Sequence, residues 1–362
     1  MNTTELAVFL VYLLFMLAIG TYFFLKHRSG GEKDYFLGGR KMGPWVSALS
    51  AGASDMSAWV LMGLPASIYS FGVGQAWIAI GLAIGYALSW IFLAPRLRRY
   101  SIAAKDSITI PQFLTNRFLS SSKALQIICA LIFAIAYTIY AASSFKACGT
   151  LFNTVIGLNP TIAMVLASVI IVGYTFLGGF SAVCWTDFFQ GMLMLAALLA
   201  APIFALGVIQ KGGAAAASGE LPASYWKLFT SWKDVLSGLG WGIGYFGMPH
   251  IIIRFMAISS EANVKKSRVI GITWNWLIMA FSVIAGLVGR KLLGDISDSS
   301  TVFIQMVRML FPALISGILL SAILAASMST ADSQLLASSS AFASDVYKPV
   351  IRKGKAGDKE ML

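Results

Sequence analysis

An aspartate stands where an uninterrupted apolar helix would be expected. Asp55 lies in the run ASDMSAW (53–59), inside a hydrophobic stretch that extends over 45–71. At that depth in a membrane a carboxylate costs about 2.5–3.5 kcal/mol, unless a cation, a donor network or water meets it. Ser54 and Ser57 flank it, Gly52 and Gly63 bracket the run, and Pro65 weakens the helix further along. A helix broken here frees backbone carbonyls, which are tolerated only under protein or beside a polar cavity. A second run, GLGWGIGYFGMP (238–249), has glycine at nearly every other position and then a proline. Gly242-Ile-Gly244-Tyr-Phe-Gly247 matches G-x-G-x-x-G, but no strand precedes it and no acid follows at the dinucleotide spacing. A broken helix with Trp241 and Tyr245 on one face fits better. A third run, SAILAASMSTADSQLL (321–336), sets Ala322, Ala326, Ser329 and Thr330 on one helical face, so another backbone can come close. Each run has a plainer reading: a buried Asp paired within the bundle, a glycine packing face, and hydroxyls bonded to their own helix. Read together, they offer backbone and hydroxyl oxygens from interrupted helices, which is how secondary transporters hold a small cation near mid-membrane.

The elements that must position these residues follow from composition. Of 362 residues, 58% are hydrophobic and only 12% charged. A soluble chain of this length needs more charge to cover its surface. Apolar runs of roughly 20 residues instead match the length of a helix that crosses a bilayer. The net charge of +12 does not point to nucleic acid, because the basic residues are scattered over short connections. Cys129, Cys148 and Cys184 have no paired spacing, and two lone histidines, His27 and His250, provide no metal-site pattern.

Nine stretches read as spans: 6–25, 45–71, 76–94, 124–145, 161–177, 188–208, 235–256, 269–288 and 312–347. The first lacks a basic leader and a small-residue cleavage site, so it reads as a span and not a signal peptide. If the spans alternate from an external N-terminus, most of the 27 lysines and arginines fall on the cytoplasmic side. Arg254 is counted there as a connecting-loop charge, and Asp345 is expected in water beside Lys348. That bias predicts N-terminus outside and C-terminus inside. The interrupted stretches 45–71 and 235–256 are five spans apart, which points to inverted repeats. The expected organisation is an extra helix and basic inner loop (1–44), a first repeat (45–210) and an outer loop (211–234). A partial second repeat (235–347) and a basic cytoplasmic tail (348–362) follow.

At these motifs the chain resembles the sodium/solute symporter family, and within it the sodium/proline branch. The resemblance runs through FLGGR (36–40), LSAGASDMSAWVLMGLP (49–65), GGFSAVCWTDFFQ (178–190), GWGIGYFGMPHIIIRFM (240–256) and ILLSAILAASMSTADSQLL (318–336). It implies an all-α, polytopic membrane protein with a five-plus-five inverted-repeat core of the LeuT type. It further implies a sodium site made by the carbonyls of Ala53, Met56 and Ala326 and the hydroxyls of Ser329 and Thr330. Asp55 would support the ion from beside that site, and Asp187 would lie along the ion path. Ser57, Tyr140, Trp241, Tyr245 and Pro249 match solute-binding positions. The family core has ten helices and this chain supplies eight of them, so it is expected to be C-terminally incomplete and unable to complete a transport cycle alone.

The function implied is sodium-coupled symport of a small amino acid, L-proline, in the cytoplasmic membrane. Na⁺ is the cofactor, the partners are a small solute and the lipid bilayer, and neither nucleic acid nor an obligate protein partner is expected. No nucleophile–base pair is evident, so no enzyme activity is expected. Two alternatives stay open: a sodium symporter for a sugar, a carboxylate or pantothenate, and a symporter-like sensory input module of a longer protein.

Overall fold

The computed structural model describes residues 3–26, 30–120, 122–212, 221–357 and 360–361. His27, Arg28, residues 213–220 of the expected outer loop, and Lys359 and Leu362 of the tail lie outside the described residues. Among the described residues the secondary structure is helical, apart from an isolated bridge between Met42 and Ile258.

Helix α1 (Thr3–Lys26) packs against the two long helices α9 and α14 defined below. A short α2 (Glu32–Leu37) leads to the first interrupted span, α3 (Pro44–Met56) followed by α4 (Gly63–Phe71). The break falls at Ser57, whose φ of 47° is left-handed. A residue with a Cβ enters that region only at a cost. The Ser57 hydroxyl offsets part of it by accepting from Trp59 N–H at 3.2 Å. Pro65 does not break anything: it sits in the first turn of α4, where its missing N–H leaves no helical bond unmade.

The third span is α5 (Ala76–Leu88), which continues through a wide turn into α6 (Ala94–Ala103). Thr109 then caps α7 (Ile110–Arg117) by accepting from Gln112 N–H. Next come α8 (Ala124–Ile156) and α9 (Pro160–Gln210). Gly179 interrupts α9 at φ 58°, ψ −156°, a conformation open to glycine. The chain reverses there, so Pro160 lies beside Gly149 while Phe204 meets Phe311 at the same end of the bundle. The stretches expected at 161–177 and 188–208 are the two limbs of α9.

The second interrupted span is α10 (Trp232–Gly240), a tight turn over 241–246, and α11 (Pro249–Ala257). Its glycines do two jobs. A Cβ on Gly85 of α5 would lie 2.1 Å from the Gly242 carbonyl oxygen, and one on Gly81 would lie 2.2 Å from that of Gly238. So the packing-face reading and the broken-helix reading both hold. Ser260 caps α12 (Glu261–Leu293), and α13 (Val302–Leu310) leads into α14 (Ala313–Ala341). The most hydrophobic part of α14 and its extension is 78% buried, as befits the centre of the bundle.

Among the described residues, six helices are long and apolar enough to cross a membrane. The two limbs of α9, the two interrupted pairs and the other five long helices coincide with the nine stretches expected as spans. At one end Glu5 of α1 accepts from Arg308 (2.6 Å) and from Ser316 (2.9 Å). At the other, Asp106 accepts from Lys33 and from Arg40 (3.0 Å). Partial burial raises the Asp106 pKa, and the hydrogen bonds and charges of Lys33 and Arg40 outweigh it, leaving the carboxyl below its ordinary value.

Asp345 is a correction. It is fully buried and accepts from Thr109 (2.9 Å) and Gln126 (2.8 Å). The last span was expected to reach residue 347, and the helical path does run past Ala341. It continues, more loosely wound, over Phe342–Ile351 and carries Asp345 beneath α7 and α8. Lys348 pairs with Glu32.

Candidate functional site

The break at Ser57 leaves the C-terminal carbonyls of α3 without helical partners of their own. Helix α14 passes beside them. The Ser329 hydroxyl lies 2.9 Å from the Ala53 carbonyl oxygen and 3.2 Å from that of Ala326. Thr330 Oγ1 accepts from the Ser57 N–H at 3.1 Å. Thus Ala53, Ala326, Ser329 and Thr330 are brought together; Met56 precedes Ser57 in the chain and lines the neighbouring cavity, and all five are buried. The bond from Ser329 to Ala326 is the own-helix contact of the plainer reading; the contacts to Ala53 and Ser57 cross between helices. The donor set is neutral oxygen throughout, with carbonyls at a half-helix end. Such a set fits sodium, and Ala53, Met56, Ala326, Ser329 and Thr330 would hold it.

Beside this set is a cavity of about 390 Å³. Ser57, Tyr140, Trp241 and Tyr245 line it, as does Asp55. Pro249 does not. It is buried at the first position of α11, where its fixed φ starts the helix, and Met248 before it reaches the cavity wall instead. Asp55 accepts a hydrogen bond from the Tyr245 hydroxyl, so it is indeed paired within the bundle. That bond joins the two interrupted spans, and Trp59 stacked on Trp241 joins them again, ring centroids 5.9 Å apart. Ser143, Ser144 and Ser327 also line the cavity. The sequence did offer a sign of the first two, since they fall three and four residues after Tyr140 and so share its helical face.

Asp187 sits deeper in the bundle, fully buried. Its carboxylate accepts from Ser50 (2.6 Å) and pairs with Arg254 at 2.9 Å. Arg254 is also buried and donates to Ser50 (2.7 Å), Ser333 (2.5 Å) and the His250 carbonyl. It is therefore not a connecting-loop charge. It stands near the end of its span, and its partners come from three other helices that sequence alone does not bring together. Its signal was a lone arginine inside IIIRFM. Asp332, also missed, is buried and accepts from Tyr174 at 2.6 Å. The described cysteines are free, and His250 Nδ1 lies 2.8 Å from the Tyr137 hydroxyl.

The chain is 43% identical over 356 residues to the high-affinity proline transporter PutP of Bacillus subtilis (strain 168), covering 96% of this chain and 74% of that protein. It is 44% identical to the osmoregulated proline transporter OpuE of the same organism, covering 97% and 72%. A sodium/proline symporter of Staphylococcus aureus (strain USA300) is 42% identical, covering 97% and 70%. Among solved structures, a Na⁺-coupled sialic acid symporter in a substrate-bound outward-open state aligns with a TM-score of 0.77 at 21% identity. The alignment covers 99% of this chain and 77% of that one. At that identity the likeness concerns the fold, and it is the inverted-repeat fold that the paired broken helices imply. The model of the sodium:solute symporter family matches residues 35–362, and with sodium as its coupling ion the chain belongs to that family.

Proposed function

We propose that this multi-pass membrane protein binds sodium and a small amino acid, L-proline, together, as the coupled-binding step of sodium symport by alternating access. One observation carries the reading: the oxygen set and the cavity meet at a single turn of backbone. Thr330 holds the N–H of Ser57, and Ser57 itself lines the cavity. Filling one side therefore fixes the wall of the other, which is what coupled binding requires. The relatives named as proline transporters support proline as the solute. In this reading Ala53, Met56, Ala326, Ser329 and Thr330 bind the ion, with Asp55 and Asp187 supporting its path. Ser57, Tyr140, Trp241 and Tyr245 contact the solute, and Pro249 sets the start of α11.

The same reading divides the chain into an N-terminal helix, a first repeat over 45–210 and part of a second over 235–347. The lysine and arginine bias supports an external N-terminus and a cytoplasmic C-terminus in the cytoplasmic membrane. Trp59 and Trp241 provide a built-in reporter. Tryptophan fluorescence of the purified chain should change saturably with L-proline in sodium chloride, and the change should disappear in choline chloride. A response to proline that is the same in both salts would rule out sodium-coupled binding.

A further inference from the structure

The cavity wall holds a hydroxyl with no partner. Among its described residues, Ser143 donates to the Tyr140 carbonyl at 2.7 Å and Ser327 to the Ile323 carbonyl at 3.1 Å. These are the local bonds that helical serines ordinarily make. Ser144 makes none: its Oγ is buried and unpartnered, and its residue lines the cavity at 4% exposure. A buried hydroxyl left unsatisfied is costly, and native proteins keep few of them. One that faces a cavity can be satisfied by what the cavity receives.

The charge pattern indicates which end of a ligand that is. The lining contains one carboxylate, Asp55, and no lysine, arginine or histidine. A zwitterionic amino acid therefore finds no cationic side chain for its own carboxylate, and Asp55 repels it. Neutral donors must hold that end. The Ser57 N–H is taken by Thr330 and the Tyr245 hydroxyl by Asp55; Tyr140, Trp59 and Trp241 also offer donors on the wall, but the Ser144 hydroxyl is the one that is fully buried and without a partner. We propose that Ser144 is a substrate-contacting residue that donates to the carboxylate of the bound amino acid and so selects amino acids over amines of the same ring size. This rests on the proline reading above and adds a residue to it.

The test is equilibrium binding of labelled L-proline to the full 362-residue chain in sodium chloride, with unlabelled L-proline or pyrrolidine, which lacks the carboxylate, as competitor. Ser144→Ala should weaken proline binding about ten- to a hundredfold, the loss of one hydrogen bond to a charged group. It should weaken pyrrolidine less than twofold, so the preference for proline shrinks. Ser144→Thr should keep most of the preference, and Ser143→Ala should keep all of it. A merely structural role would lower both ligands together. Unchanged selectivity in Ser144→Ala overturns the inference alone. No sodium-dependent proline binding by the unaltered chain overturns the proline reading and this inference with it.

Discussion

Thr330 and Ser57 show how much one side chain can tie together. Thr330 Oγ1 accepts from a backbone N–H on another helix, so its hydroxyl is part of the joint between α3 and α14. Thr330→Val is nearly isosteric and removes one oxygen. The expected cost is about 1–3 kcal/mol, the penalty for an unmet buried partner. The sodium concentration for half-maximal proline binding should rise roughly five- to a hundredfold. An unchanged sodium dependence would exclude Thr330 from the ion site. At this scale the sequence disclosed the small-residue face of α14 and the anomaly of Asp55. It did not disclose Tyr245 as the partner of Asp55, or Arg254 as that of Asp187. Those pairings join residues far apart in the chain, and only tertiary packing brings them together.

Helices were legible as stretches, and their interruptions were legible as runs of glycine, serine and proline. Both breaks fall inside the runs that marked them, 53–59 and 238–249. Pro65 was expected to weaken the helix further along and does not, and no residue type announces the positive φ at Ser57. Glycines in α10 announced weakness, but some of them serve close contact with α5. That contact yields a direct comparison. Gly85→Ala puts a Cβ 2.1 Å from the Gly242 carbonyl oxygen, so α5 must shift. It should destabilise the protein by about 1–3 kcal/mol, as overpacking commonly does. Gly240→Ala meets nothing within 4 Å and should fall within about 0.5 kcal/mol of the unaltered chain. Thermal unfolding in one detergent checks both, and equal melting temperatures would mean that the α5–α10 approach is not tight.

Across the whole molecule, the buried pair of Asp187 and Arg254 draws α3, α9, α11 and α14 to one point. Arg254→Gln leaves a buried carboxylate without its cation and should cost about 3–5 kcal/mol. Asp187→Asn added to it removes the stranded charge and should recover part of that loss. A double variant as unstable as the single one would show that the hydroxyl network, and not the charge, holds this point. The inverted-repeat arrangement was legible because two interrupted spans stand five spans apart. The last span was legible as far as residue 347, but the burial of Asp345 was not, since an acid next to a basic tail reads as a solvated interface. The central claim is that a sodium site and an amino-acid cavity share the broken turn at Ser57. Equilibrium binding of labelled L-proline to the purified chain, in sodium chloride and in choline chloride at equal ionic strength, tests it most directly. Saturable binding in sodium that falls at least about tenfold in choline, the size of an ordinary coupling free energy, is the expected result. Equal binding in the two salts would contradict it.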